Sequence, residues 1–196
     1  MPVADPPPRL TTEIAELFPP QGHWSDEEYL AIETNRLIEL VDGTLDILPM
    51  PTTLHQWLAD VLDALLVEAS GRRHVVSAPY KLRLRTGLYR EPDVLYSETP
   101  FDPAASATDS ADLVIEIVSE GAEQRERDYV AKRRDYAAAG VREYWIVDPW
   151  ESSVTVLVLD GEAYAARDDA RTEGMLRSDL LPGFAVELPE LFTQFE

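Results

Sequence analysis

The most constraining feature of this chain lies at residues 113–149: an apolar run LVIEIV, a strongly charged helical stretch over 122–139 closed by Gly140, and a second apolar run in REYWIVDP. Two strands flanking one long helix predict a sheet with helices packed on its faces. The first strand carries an anomaly, because Glu116 interrupts its branched apolar side chains. A buried carboxylate is costly unless something compensates its charge, and a strand needing only a core would place Val there. Alternation puts Val114, Glu116 and Val118 on one face and Leu113, Ile115 and Ile117 on the other.

The sequence before this unit divides at its prolines and glycines. Six of the 15 prolines fall within residues 1–20, which predicts an extended arm over 1–22 ahead of a single domain over 23–196. Ser25 and Glu28 have capping-box spacing and open a helix over 26–34. LIELVDGTLDIL alternates around Asp42-Gly43 and predicts a β-hairpin. A helix capped by Thr52 or Thr53 then carries Leu54, Trp57, Leu58, Val61, Leu62, Leu65 and Leu66 at helical spacing until Gly71. Strands are expected near 74–78, 80–86 and 93–96, a surface loop over 97–111, and a returning strand in SSVTVLVL after the Asp148-Pro149 turn. The fold class is therefore α+β or α/β: a mixed β-sheet flanked by helices, with an N-terminal hairpin and helix.

Composition narrows the chemistry. The chain has no cysteine, so any metal must be held by carboxylates, carbonyls or the three histidines, which favours hard ions such as Mg²⁺ or Mn²⁺. No apolar run reaches the roughly 18 residues of a membrane span and the N-terminus has no apolar leader, so a cytoplasmic protein is expected. The net charge of −20 argues against a nucleic-acid ligand. Its distribution softens that objection, because 12 of the 17 basic residues lie in residues 71–142, balanced there by 12 acids. Residues 71–90 hold six cations and no acid. That stretch reads either as a solvated strand face or as a local surface for an anionic ligand.

Upstream of Glu116, GLYREPDVLY sets Asp93 directly after Pro92, at a strand entrance where proline is tolerated. Two carboxylates at facing points of adjacent strands, with a main-chain carbonyl nearby, can hold a divalent cation through oxygen alone. Asp128, Lys132 and Tyr136 share one helix face at i, i+4 and i+8. Lys132 is one of only two lysines against 15 arginines. On the residues alone, Glu116 could equally pair with an arginine, Asp93 could be a turn residue, and Asp128–Lys132 could be a solvated pair.

A Pro-Asp followed by a Glu on a later strand resembles the PD-(D/E)XK nuclease pattern. The sequence departs from it at Val118, where that pattern has lysine. ELVDG, the His after PTT, EPDVLY, LVIEIVSE, the D-x-x-x-K-x-x-x-Y helix and AAGVREYWIVDP together resemble the Uma-type family of restriction-endonuclease-like proteins. That resemblance extends over residues 24–192 and implies that the lysine comes from the following helix, as Lys132. It implies a restriction-endonuclease-like core and a metal-dependent endonuclease acting on DNA. Asp93, Glu116 and the Ile117 main-chain carbonyl would hold Mg²⁺ or Mn²⁺, Lys132 would position the attacking water, and His55 and Glu39 would assist. DNA would be met by the basic residues of 72–90 and 125–142, and a homodimer is expected because such nucleases often act in pairs. Two other readings stay open: a catalytically inactive nuclease fold serving binding or assembly, and a metal-dependent hydrolase of a smaller phosphate ester.

Overall fold

The computed structural model of the chain describes residues 18–167 and 174–193, so most of the expected proline-rich arm lies outside the described residues. The Ser25–Glu28 capping box forms and opens α1 (Asp26–Leu30), shorter than expected. Hairpin β1 (Ile38–Val41) and β2 (Thr44–Ile47) follows, turning on Asp42 and Gly43, both at positive φ. Gly43 is needed twice. Its φ is +79°, and an added Cβ would lie 2.6 Å from the Gly22 carbonyl oxygen. The close approach arises because the N–H groups of Gly22 and Trp24 both donate to the Gly43 carbonyl. Residues 21–24 are thus fastened to the hairpin, where the Gln21 side chain also exchanges hydrogen bonds with the Leu45 backbone.

Helix α2 (Thr53–Ser70) starts at Thr52, whose hydroxyl accepts the N–H of His55, and buries Leu58, Leu62 and Leu66. After it come β3 (Val75–Ser77), β4 (Lys81–Arg85), β5 (Leu88–Arg90), β6 (Val94–Tyr96), the two-residue β7 (Ala107–Thr108) and β8 (Leu113–Ile117). The charged helix α3 is continuous through Ala122–Glu126, a π-helical Arg127–Lys132 and Arg133–Ala138. Then follow β9 (Glu143–Asp148), β10 (Ser153–Asp160), β11 (Ala163–Ala166), β12 (Met175–Arg177), β13 (Ala185–Glu187) and α4 (Leu188–Thr193). Strand β5 and the short β7 escape the sequence reading. The first turns back through Thr86-Gly87 without a long apolar run, and the second spans two residues of a polar loop. Among the described residues no helix is long and apolar enough to cross a membrane.

The strands form a six-stranded sheet, β11-β10-β9-β8-β6-β3, a five-stranded sheet, β2-β1-β5-β4-β7, and the small pair β12-β13. The mixed α+β architecture agrees with the sequence reading. In the six-stranded sheet β8 and β9 run parallel, joined by the α3 crossover, while every other pair is antiparallel. Alternation decides which layer each side chain enters. Leu113, Ile115 and Ile117 pack with α2 and the C-terminal elements on one face. Val114 and Val118 pack with Tyr136 and Tyr144 on the other, beneath α3. Glu116 lies on this second face, so α3 is the helix that must answer its charge.

Replacing Gly43 with Ala should destabilise the protein by about 1–3 kcal/mol, because it strains φ and drives a methyl group into the Gly22 carbonyl. Urea unfolding followed by circular dichroism checks this, and a midpoint equal to that of the wild type would contradict it.

Candidate active site

Two strands bring the first pair of acids together. The antiparallel β6–β8 register pairs Val94 with Ile115, so one step further Asp93 stands opposite Glu116. Asp93 lies at the entrance of β6 behind Pro92, and its Oδ2 accepts the Ile117 N–H at 2.7 Å. The first turn of α2 delivers His55, whose Nε2 is 3.2 Å from the same Asp93 oxygen. Burial alone would lower the imidazole pKa. The hydrogen bond and charge of Asp93, with Glu116 and the Ile117 carbonyl, outweigh burial and raise it. His55, Asp93, Glu116 and Ile117 therefore meet at one place.

Lys132 joins them from the π-helical turn. Its ammonium is almost fully buried, 2.8 Å from Glu116 Oε2, 3.3 Å from Glu39 Oε1 and 3.6 Å from Asp128 Oδ1. Burial opposes its charge, but the three carboxylates win and raise its pKa, so it remains an ammonium. Tyr136, one turn on, donates its hydroxyl to Glu116 Oε1. The wide turn is stabilised from the sheet, because the Tyr144 hydroxyl donates to the Asp128 carbonyl at 2.9 Å. Such π-helical turns recur at functional sites, where they re-aim side chains.

Glu39 reaches the same group from the five-stranded sheet. It is fully buried, contacting Lys132 and the Arg90 guanidinium, which also holds Asp135 at 2.7 Å. Burial would raise its pKa, yet Lys132 and Arg90 together hold it down to about 2. Glu116 shares the same ammonium but behaves oppositely. Burial is its dominant influence and Asp93, Asp128 and Glu39 add to it, so its pKa rises despite Lys132. The contrast follows from the count of partners: Glu39 has two cations in contact, while Glu116 has one cation and faces other acids.

Of the five side chains expected at the site, Asp93, Glu116, Lys132 and His55 line one cleft with Ile117, and Glu39 lies behind it against Lys132. The cleft is small, about 30 Å³. The structure adds three charged residues to its lining: Glu91, Arg127 and Asp128. Asp128 was legible, since it lies four residues before Lys132, but its role as a lining acid was not. Its Oδ1 is buried without a hydrogen-bond partner, and burial raises its pKa. Glu91 has a raised pKa of about 7, chiefly from burial, although its carboxylate accepts the Ile38 N–H. Nothing in the sequence distinguishes Glu91 from a surface acid before a proline.

The basic residues expected to meet DNA are placed differently from the sequence reading. In 72–90, Arg72 pairs with Asp63, Arg83 with Asp26 and Arg85 with Asp42, while Arg90 is buried on Glu39 and Asp135. Lys81 lies over the Tyr29 ring. In 125–142, Arg125 pairs with Asp148, Arg127 with Asp128, Arg134 with Asp135 and Arg142 with Glu98. Most of these cations acquire an acid from elsewhere in the fold, while Arg133 donates to the Tyr164 carbonyl.

Comparison with known proteins agrees with this architecture. The model of the Uma2 family, described as "Putative restriction endonuclease", matches residues 26–189. The fold resembles the crystal structure of a "putative nuclease belonging to DUF820" from Anabaena variabilis ATCC 29413 with a TM-score of 0.71. That alignment has 16% sequence identity and covers 88% of this chain and 99% of the other. Among curated proteins none matches the chain.

The raised pKa of Glu91 generates a stability prediction. The folded state holds the Glu91 proton more tightly than the unfolded chain, so this group lowers stability as pH rises from about 4.5 to about 7. Glu91→Gln removes that contribution. Its stability relative to wild type should improve by about 2 kcal/mol across the window, measured by urea titrations at pH 4.5 and pH 8. A difference that is independent of pH would refute it.

Proposed function

We propose, from the fact that this chain belongs to the Uma2 family, that it is a divalent-metal-dependent endonuclease hydrolysing DNA phosphodiester bonds at the Asp93–Glu116–Lys132 cleft. One observation carries the reading. Two carboxylates from facing positions on adjacent strands and a lysine from the following helix converge on one cleft, with Lys132 Nζ 2.8 Å from Glu116. A chain needing only a stable core has no use for this group, because apolar side chains of similar volume would cost less.

The residues suit a hard cation, although no cluster of three or more metal-ligating side chains is preformed among the described residues. Asp93, Glu116 and the Ile117 main-chain carbonyl offer oxygen donors alone, as magnesium and manganese prefer. The charge balance fits as well. In the cleft lining the acids Glu91, Asp93, Glu116 and Asp128 outnumber Arg127 and Lys132 even with His55 counted as a cation, and burial lifts Glu91, Glu116 and Asp128. A divalent cation, when bound, offsets that surplus, acidifies water and neutralises charge developing on the phosphate.

The chain's own residues account for the remaining work. Lys132 stays protonated, so it orients the attacking water as a donor and does not act as a base. Asp128, whose Oδ1 faces Lys132 and Arg127 at 3.6 Å without a hydrogen bond and whose pKa burial raises, accepts the proton that the water releases. His55, whose pKa Asp93 raises against the effect of burial, donates in its protonated form to a non-bridging phosphate oxygen. Glu39 and Arg90 fix the rear of Lys132, and Tyr136 fixes the orientation of Glu116.

Cleavage of supercoiled plasmid and circular single-stranded DNA with Mg²⁺ or Mn²⁺ tests the reading. Wild type should cut, EDTA should abolish cutting, and Asp93→Asn, Glu116→Gln and Lys132→Met should each lose at least about a hundredfold. Equal cutting by wild type and Asp93→Asn would assign the activity to a contaminant and overturn the proposal.

A further inference from the structure

Beside the cleft lies a second groove of about 160 Å³, whose lining includes Met50, Leu54, Val118, Pro149 and Trp150. It joins the cleft directly, since His55 and Ser119 line both. Two large apolar side chains stand at its mouth, with Trp150 50% and Met50 73% exposed. A half-exposed indole beside a polar cleft leaves aromatic surface available to a ligand.

Trp150 is also held in place. Asp148 is fully buried at the end of β9, and its Oδ1 accepts the N–H groups of Trp150 at 3.1 Å and Glu151 at 3.2 Å. Its other oxygen is 2.6 Å from Arg125. With Pro149 limiting the backbone between them, the indole is mounted on a turn whose backbone is pre-organised, which lowers the backbone ordering cost when a ligand covers it.

The charge distribution states which ligand suits this arrangement. Duplex DNA is bound chiefly through cations facing its phosphates. Here the net charge is −20, and arginines 72, 83, 85, 125, 134 and 142 already lie against carboxylates. Stacking of a base on an aromatic ring needs no such cations and is worth about 1–3 kcal/mol per base. It is open only to a base that is not already stacked and paired within a helix. An acidic body with a cleft of phosphodiester chemistry and a fixed indole next to it matches an unpaired strand.

We propose that the Trp150–Met50 groove is a stacking platform for a nucleobase adjoining the scissile phosphate, which directs the site to unpaired DNA strands rather than to duplex. This rests on the nuclease reading above and adds a substrate class to it. Trp150 is the specificity-determining residue, and Asp148 is a positioning residue acting through it.

Fluorescence anisotropy tests the platform without cleavage, using a labelled single strand of about ten nucleotides and the same strand in a duplex, in EDTA. Wild type should bind the single strand at least about tenfold more tightly than the duplex. Trp150→Ala should lose about tenfold for the single strand, while Trp150→Phe, which keeps an aromatic face, should stay within about threefold of wild type. Equal or tighter binding of duplex, no loss in Trp150→Ala, or no binding of either form overturns the platform. Cleavage with Mg²⁺ separates the two proposals. Trp150-dependent binding of a strand that wild type never cuts would sink the nuclease reading and leave the platform standing. Duplex cut equally well by wild type and Trp150→Ala would do the reverse.

Discussion

The buried Lys132 ammonium is the interaction on which the rest of the structure turns. It contacts carboxylates from three separate elements: Glu39 of β1, Glu116 of β8 and Asp128 of its own helix. One cation thereby ties the five-stranded sheet, the six-stranded sheet and α3 to a common point. Removing it would leave three acids facing one another out of water, which costs far more than any surface pair is worth. Arg90 extends the network by joining Glu39 to Asp135, so α3 is fastened to the hairpin side at two positions.

The surplus of acids over cations makes this group more than a structural clamp. A network evolved for stability alone would balance its charges, as Glu39 is balanced between Lys132 and Arg90. On the other side of Lys132 the balance fails: Glu116 and Asp128 are both pushed toward holding protons, and Asp128 Oδ1 makes no hydrogen bond. Buried polar groups are rarely left unsatisfied, and functional sites are where the exceptions gather. The asymmetry marks the side of the lysine that faces the cleft. The adjoining groove continues the same logic, with an aromatic surface in place of the cations that the fold consumes internally.

Much of the fold was legible in the chain. The capping box at Ser25, the Asp42-Gly43 turn, the helical apolar spacing of α2 and the strand–helix–strand unit of residues 113–149 are local signals, and each forms as its chemistry dictates. Strand β5 was lost between β4 and β6 because three residues give too short a period to read. The exposure of Trp150 was also hidden, since an aromatic beside Asp-Pro reads as ordinary packing until the turn is built. The pairing of the cations of residues 72–90 was hidden for a related reason: their carboxylate partners lie up to 57 residues away, as Asp26 does from Arg83.

By itself the sequence determined which face of the β8 strand Glu116 occupies and that Asp128, Lys132 and Tyr136 share one helix face, because side-chain periodicity is a property of the backbone alone. It determined too that a metal at this site would meet oxygen or imidazole donors and no thiolate, since the chain has no cysteine. Only the tertiary structure decided that Asp93 stands opposite Glu116, that Lys132 is shared with Glu39, and that the arginines are already taken. Those outcomes depend on strand register and on which distant acid is carried beside which cation. Register and pairing are settled when the layers pack together, and no local pattern encodes them.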